Sequence, residues 1–150
     1  METVVGYATF PSSEPSEGVT SQVRVLVVDD HPAFRKALTS ALKMVEGVEV
    51  AGEAGGGEAA CEEAELLHPD LVLMDLSMPD LSGIDATRRI HRRQPELPIV
   101  ILTAHADPGV EREARDAGVS GFLAKGTSLE ELVLVLHEAA GDEPITPVAN

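Results

Sequence analysis

The sequence predicts an α/β fold in which a parallel sheet is covered by helices on both faces. Short apolar runs, with the length and composition of buried strands, alternate five times with segments of helical apolar spacing. The connections are short, which favours parallel strands joined by helices. The 150 residues suit one domain, and with 43% hydrophobic but only 3% aromatic residues the core is expected to consist mainly of Val, Leu, Ile and Ala.

Five strands are predicted from the apolar runs, and turn residues separate them from the segments that follow. The strands are expected at residues 23–28, 48–52, 70–75, 98–102 and 120–124. The first, third and fourth are apolar almost throughout, which is typical of strands buried on both faces. The second, Val48-Glu49-Val50-Ala51-Gly52, is short and alternates between apolar and other residues. The three glycines at 55–57 lack the spacing of a dinucleotide or phosphate-binding loop and are read as a plain connection.

Each segment between or after these strands predicts a helix. Pro32 stands in the first turn of the first helix, where its missing N–H costs nothing. Ser128, followed by Glu131 three residues later, indicates the start of the last helix. Gly47 and Gly118 mark helix ends. The helices are expected to begin near Pro32, Glu58, Ser82, Asp107 and Ser128, and Leu129, Leu132, Val133, Leu136 and Ala140 form the inner face of the last.

The composition divides the chain into a tail at residues 1–22, one domain at 23–140 and a linker at 141–150. Residues 11–18 have a linker composition rich in Pro, Ser and Glu. No signal peptide is readable, and no stretch reaches the roughly 18 consecutive apolar residues of a membrane helix. A soluble cytoplasmic protein is therefore expected. The single cysteine, Cys61, cannot form an internal disulfide and is assigned to packing or the surface.

The formal net charge of -15 limits the partners of the domain. Nucleic acids and anionic membranes attract Lys and Arg, so neither is an expected partner of this domain itself. A divalent cation remains compatible with the charge. The one basic cluster, Arg88, Arg89, Arg92 and Arg93, is interpreted as a solvated helix face.

Polar residues stand where the apolar strands end. Asp29 and Asp30 follow the first strand, Asp75 closes the third, Thr103 follows the fourth and Lys125 the fifth. The second strand contributes only Glu53 and small residues. Because the carboxyl ends of parallel strands share one edge of a sheet, where ligands bind in such folds, we expect the five residues to converge.

The chemistry of this set favours a cation and phosphoryl transfer. Three carboxylates held close together stay ionised only if a cation neutralises them. Oxygen ligands of this kind favour Mg²⁺. A carboxylate beside a metal can act as a nucleophile towards a phosphoryl group, with Lys125 as a second positive charge and Thr103 as a hydroxyl donor. The alternative is that the aspartates are turn and cap residues and that Lys125 is a surface charge.

The motifs resemble the receiver domain of two-component response regulators over about residues 23–140. They occur in the order of that family, and the segment Asp29-Asp30-His31-Pro32, followed by Phe34-Arg35, is similar to its LuxR-type subfamily. The segments that carry the resemblance are residues 25–32, 73–83, 101–104 and 121–125. The resemblance implies a flavodoxin-like sheet of order 2-1-3-4-5 and a sensor histidine kinase as partner.

The resemblance also implies a role for each residue. Asp75 would accept a phosphoryl group from a phosphohistidine, and Lys125 would pair with a phosphoryl oxygen. Mg²⁺ would be held by Asp30, Asp75 and the backbone carbonyl of Ser77, with Asp29 acting mostly through metal-bound water. Thr103 would move towards the phosphoryl group while Phe122 turns inward, which would change a protein-interaction face. Homodimer formation on phosphorylation is a further expectation.

Two features depart from the family pattern. Gly126 stands where many receivers have Pro. Only about ten residues follow the last predicted helix, so no basic helix-turn-helix is present to read DNA. We expect either a receiver cut from a longer transcription regulator or a stand-alone receiver.

Three other functions compete with the signalling switch. An aspartyl phosphatase of the haloacid-dehalogenase type needs a second Asp two residues after its nucleophile, where this chain has Ser77, so no enzyme is expected. A DNA-binding regulator is opposed by the acidic charge. A receiver that works without phosphorylation is disfavoured by the intact set of site residues. Among the histidines, His31 is read as a helix-start residue, His105 as an edge residue of the site, and His68, His91 and His137 as exposed.

Overall fold

A computed structural model describes residues 22–141 of the chain, so the expected tail and linker lie almost entirely outside the described residues. Five strands and five helices alternate along these residues. The strands are β1 (Val23–Val28), β2 (Val48–Ala54), β3 (Leu71–Asp75), β4 (Ile99–Thr103) and β5 (Gly121–Ala124). The helices are α1 (Pro32–Lys43), α2 (Gly57–Leu67), α3 (Gly83–Arg93), α4 (Pro108–Ala117) and α5 (Leu129–Ala140). Among these helices, none has the length and apolar character that crossing a lipid bilayer requires.

The strands form one parallel sheet of order β2-β1-β3-β4-β5, as predicted. Successive residues of the central strands point to opposite faces, so each strand supplies two cores. Leu71 and Leu73 pack with Leu42 of α1 and Leu136 of α5 on one face. Val72 and Met74 pack on the other face, with apolar residues of α2, α3 and α4. Burial on both faces explains why β1, β3 and β4 read as uninterrupted apolar runs.

The strand register brings the carboxyl ends of the four strands β1, β3, β4 and β5 to one edge. Val28 lies opposite Met74, Asp75 opposite Leu102, and Thr103 opposite Ala124. Asp29 and Lys125 therefore leave the sheet next to Asp75 and Thr103. The convergence expected from the sequence is confirmed at the level of the backbone.

Asp80, in the β3–α3 loop, caps a helix that is distant in sequence. The first residues of α2 carry N–H groups without intrahelical partners, and its N-cap residue, Gly56, has no side chain to satisfy them. The Asp80 carboxylate accepts both the Gly57 and the Glu58 N–H, each at 3.0 Å. These two bonds hold the pKa of the Asp80 carboxyl below its ordinary value of 3.8. The loop that follows Asp75 is thus tied to the start of α2.

Replacing Asp80 by Ala is expected to lower the unfolding temperature by a few degrees, about the loss seen when a helix cap is removed. Because the pKa of Asp80 is lowered in the folded state, its contribution to the stability of the folded protein is present above pH 3.8. That contribution is lost as the pH falls through the folded pKa. Thermal unfolding of wild type and D80A between pH 7 and pH 3 checks this. A gap in Tm that stays constant over the range would contradict the capping role.

The structure corrects several details of the sequence-based predictions. β2 extends to Ala54, and Gly57 is the first residue of α2 rather than part of a turn. Leu129, assigned to the inner face of α5, is 39% exposed. His137, expected to be exposed, is 2% exposed, and His91 is half-buried with its Nε2 at 2.8 Å from the Leu97 carbonyl. A single-face reading of helical spacing cannot place residues at the boundary between buried and exposed faces.

Candidate functional site

Three carboxylates and one imidazole gather at the carboxyl edge of the sheet. Asp29, Asp30 and His31 lie in the β1–α1 connection, and Asp75 is the last residue of β3. One potential ligand atom from each of these four residues lies within 4.8 Å of the others. Asp29 and Asp75 are buried, at 2% and 4% exposure, whereas His31 is exposed. The set is a site open to solvent on one side.

Lys125 reaches this cluster from the end of β5. Its Nζ lies 2.8 Å from Asp29 Oδ2 and 3.6 Å from Asp75 Oδ2. Its backbone N–H donates to the Thr103 carbonyl at 2.7 Å, which fixes the start of the β5–α5 connection. The ammonium also lies 4.4 Å from the centre of the Phe34 ring, a cation–π distance. Lys125 thus supplies one positive charge against the three carboxylates.

The surroundings of Asp75 disfavour the ionised form of its carboxyl group. Burial raises the pKa of the Asp75 carboxyl above its ordinary value of 3.8, and the neighbouring Asp29 carboxylate raises it further. Lys125 and the Ser77 N–H act in the opposite direction but do not cancel these effects. A cation placed among the carboxylates would relieve the repulsion.

The donor set fits a divalent cation that prefers oxygen ligands. Asp30 Oδ1 is buried and accepts no hydrogen bond from the described residues, although His31 Nδ1 lies 3.4 Å away. A buried carboxylate oxygen without a partner is costly unless an ion or water satisfies it. Together with Asp29 and Asp75, it offers the hard oxygen ligands that Mg²⁺ prefers.

A groove of about 610 Å³ opens beside the cluster. Asp30 and Ser77 line the end nearest the carboxylates, and Met78, Pro79 and Val110 form an apolar side. Ser77 is exposed in the β3–α3 loop, two residues beyond Asp75. The groove thus adjoins the cluster on the side of Asp30 and Ser77.

Thr103 ends β4 and Phe122 lies in β5, and neither residue lines this groove. Both are buried, at 3% and 8% exposure, and the Thr103 hydroxyl accepts the His105 N–H at 3.2 Å. Phe122 packs in the core that α2, α3 and α4 cover. The ring is already buried in this structure, and its inward turn on phosphorylation stays a prediction. His105 itself is exposed, two residues beyond Thr103.

Other contacts to the cluster were not anticipated from the sequence. In the sequence, Phe34 and Arg35 belong to the motif that follows Asp30, Phe34 also falls at the apolar spacing of the first helix, and Glu53 stands among small residues after the second strand. The structure places Phe34 against Lys125 and Arg35 against the Asp29 backbone and Glu53. His31 Nδ1 lies 3.3 Å from Asp29 Oδ1. The only sequence signal was helical spacing, which puts Phe34 and Arg35 on the first turn after Asp30.

Comparison with known proteins identifies the family. The model of the response regulator receiver domain matches residues 25–137. The fold and the carboxylates at the sheet edge agree with that match, and the chain belongs to the response regulator receiver domain family. The parallel sheet of order 2-1-3-4-5 is the flavodoxin-like architecture that the resemblance implied.

Two curated relatives are response regulators. The chain is 39% identical to the response regulator GacA of Pseudomonas aeruginosa over 126 residues, which is 83% of this chain and 59% of GacA. It is 38% identical to the response regulator UvrY of Escherichia coli K12 over 115 residues, which is 77% of this chain and 53% of UvrY. The chain therefore spans a little over half the length of these relatives.

Solved structures give the same result and support the LuxR-type subfamily. The signal receiver domain of NarL from Mycobacterium tuberculosis superposes with a TM-score of 0.76 at 34% identity, covering 83% of this chain and 100% of that one. A LuxR-family two-component response regulator from Aurantimonas sp. SI85-9A1 gives 0.76 at 33% identity, covering 85% and 91%. The chain is thus a LuxR-type receiver domain of the two-component signalling systems.

Proposed function

We propose that Asp75 is the phosphoacceptor of this receiver and that it takes a phosphoryl group from the phosphohistidine of a sensor histidine kinase. The observation that carries the proposal is the position of the Asp75 carboxylate. It is buried at the end of β3, flanked by Asp29 and faced by the Lys125 ammonium at 3.6 Å. Asp29 and Lys125 pair more closely, at 2.8 Å, which leaves Asp75 as the carboxylate less engaged with the lysine.

The reaction transfers the phosphoryl group from the imidazole nitrogen of the kinase to a carboxylate oxygen of Asp75. A carboxylate oxygen of Asp75 attacks phosphorus, and an O–P bond forms, giving an acyl phosphate. The P–N bond of the phosphohistidine breaks, and its electron pair stays on the imidazole nitrogen, which takes a proton from solvent. Lys125 would neutralise a phosphoryl oxygen, and the Thr103 hydroxyl would move towards the phosphoryl group and donate to another oxygen.

Mg²⁺ is the cofactor that the donor set supports. Asp30, Asp75 and the Ser77 backbone carbonyl would hold it, with Asp29 acting through metal-bound water. Bound there, the ion would supply positive charge that offsets repulsion between the incoming phosphoryl oxygens and the carboxylates. Lys125 alone offers one positive charge against three carboxylates within reach.

We propose a signalling output rather than substrate turnover. Thr103 and Phe122 lie on the neighbouring strands β4 and β5, and the register puts Phe122 opposite Ile101, two residues before Thr103. A phosphoryl group at Asp75 would bias both residues and change the face beyond them. That face would control a transcription-regulating output domain and could support homodimers. The exposed Ser77 has no acidic group with which to protonate an ester leaving group, which favours a phosphoacceptor over a phosphatase. The cytoplasmic location, the domain bounds and the lack of nucleic-acid binding stay predictions.

The proposal predicts a single phosphoryl adduct that requires Mg²⁺. Acetyl phosphate can serve as the donor, because transfer to Asp75 breaks its P–O bond and releases acetate. Intact mass is measured after incubation with Mg²⁺, and again with EDTA in excess. One added phosphoryl group with Mg²⁺ and none with EDTA is the expected result.

Two outcomes would count against this function. The absence of any adduct, together with the absence of Mg²⁺ binding, would leave the domain as a protein contact that works without phosphorylation. Release of nitrophenol from p-nitrophenyl phosphate over many turnovers would instead favour a phosphatase.

A further inference from the structure

Arg35 connects the loop that carries the carboxylates to the edge strand of the sheet. It lies in the first turn of α1, and its side chain is 22% exposed. Its Nη1 donates to the backbone carbonyl of Asp29 at 2.6 Å, and its Nε donates to Glu53 Oε1 at 3.1 Å. Arg35 thus binds the main chain of Asp29 at the acidic site and is held in place by the Glu53 carboxylate of β2.

The Arg35 side chain connects the carboxyl ends of the adjacent strands β1 and β2. Glu53 lies opposite Val27 in the β1–β2 register, and the Asp29 N–H donates to the Ala54 carbonyl at 3.1 Å. Beyond that bond the strands part. Past Ala54, a Cβ built on Gly55 would lie 3.4 Å from Arg35 Nη1, so the guanidinium fills the space between the two connections. Both polar groups of the Asp29 main chain are therefore satisfied by β2 or by a residue fixed to it.

We propose that Arg35, braced by Glu53, is a positioning residue that holds Asp29 and Asp30 in the geometry that binds Mg²⁺. The inference rests on the proposed function and deepens it, because it assigns the metal affinity of the site partly to a residue that touches neither the metal nor the phosphoryl group. A charge-assisted bond to the Asp29 carbonyl fixes the peptide from which both carboxylates project. Ligands held in place before binding lose less entropy when the ion arrives.

The direction in which the Mg²⁺ affinity of one variant, R35M, changes separates this positioning role from a simple charge effect. Arg35 is positive and close to the acidic cluster, so its long-range field opposes cation binding. If Arg35 acted only through its charge, R35M would bind Mg²⁺ more tightly. If it positions the carboxylates, R35M binds Mg²⁺ more weakly in spite of the lost positive charge.

The test is isothermal titration of the full chain with MgCl₂. We expect Kd to rise roughly tenfold in R35M, as for the loss of one charge-assisted hydrogen bond. R35K keeps the charge but lacks the fork that reaches both acceptors, so a rise of roughly threefold is expected. R89M is the matched control, because Arg89 forms an exposed ion pair with Glu58 away from the site; its Kd should equal that of wild type.

A second readout separates positioning from damage to the reacting groups. Since Arg35 touches no reacting atom, the amount of phosphoryl adduct formed by R35M should recover to the wild-type level at saturating Mg²⁺. If R35M does not fold, R35K carries the test, since it retains the charge. A folded R35M whose Kd equals or falls below that of wild type overturns the inference. Wild type that neither binds Mg²⁺ nor forms an adduct would instead overturn the proposed function.

Discussion

Replacing Asp75 by Asn is expected to abolish the phosphoryl adduct while making the metal-free protein more stable. An amide of the same shape cannot attack phosphorus, so intact mass after incubation with Mg²⁺ and acetyl phosphate should show no addition. The stability gain arises because burial disfavours the ionised Asp75 carboxylate and because Asp29 repels it more than Lys125 attracts it. The two effects together are characteristic of a residue kept for function at the expense of stability.

The pH dependence of this gain has a definite sign. The pKa of Asp75 is raised in the folded state, so the folded protein binds the proton more tightly than the unfolded chain does. The stability that comes from this group is complete below pH 3.8 and is lost as the pH rises through the folded pKa. The difference in Tm between D75N and wild type, measured in EDTA, should therefore be largest near neutral pH and should shrink in acid.

A matched control for D75N is available on α3. Asp85 is an exposed aspartate in the first turn of that helix, 3.1 Å from Arg88. D85N removes the same charge and should keep the adduct, and its Tm should fall slightly rather than rise, because Asp85 faces the positive end of the α3 dipole and pairs with Arg88. An adduct that persists in D75N, or a lower Tm in EDTA than that of wild type, would contradict the role assigned to Asp75.

Replacing Gly83 by Ala is expected to cost about 3 kcal/mol of unfolding free energy, or roughly 10 °C in Tm. Gly83 begins α3 and packs on the end of β3: its N–H donates to the Leu76 carbonyl at 2.7 Å. A Cβ there would collide with the backbone carbonyl of Asp75 and would lie 3.1 Å from Leu76 Cα. Main-chain atoms cannot swing aside as a side chain can, so either α3 or the end of β3 must shift.

The second effect of G83A is on the site itself. A shift of the Asp75 main chain moves the carboxylate relative to Lys125, so the rate of adduct formation should fall along with stability. G126A is the control, because a Cβ at Gly126 meets no heavy atom within 4 Å, although Gly126 adjoins Lys125. Thermal unfolding of both variants checks the pair, and equal Tm values for G83A and G126A would contradict the packing argument.

The sequence allowed the sheet and the main site residues to be predicted because they rest on local patterns. The apolar run 71–74 is typical of a strand buried on both faces, and this interpretation alone places the next residue, Asp75, at the carboxyl edge of the sheet. Parallel connectivity then brings Asp29, Thr103 and Lys125 to the same edge, although they are far apart in the chain. The strand order came from the family resemblance, since alternation by itself is compatible with more than one order.

The remaining contacts depend on side chains that meet only in the folded chain. Asp80 reads as a turn residue after Pro79, and nothing local indicates that it caps α2, whose first residue lies 23 positions earlier. Arg35 and Glu53 are 18 residues apart and meet because β2 lies beside β1. The burial of His137 likewise depends on the packing of α5 against the sheet.

Locating the phosphoryl group tests the central claim most directly. An acyl phosphate is reduced by borohydride to an alcohol, which converts a phosphorylated aspartate into homoserine. The wild-type protein is phosphorylated with acetyl phosphate and Mg²⁺, reduced, digested and sequenced by mass spectrometry. Homoserine at position 75 and at no other aspartate is the predicted result. Homoserine at position 29 or 30 instead, or an adduct that resists reduction, would contradict the assignment of Asp75 as the phosphoacceptor.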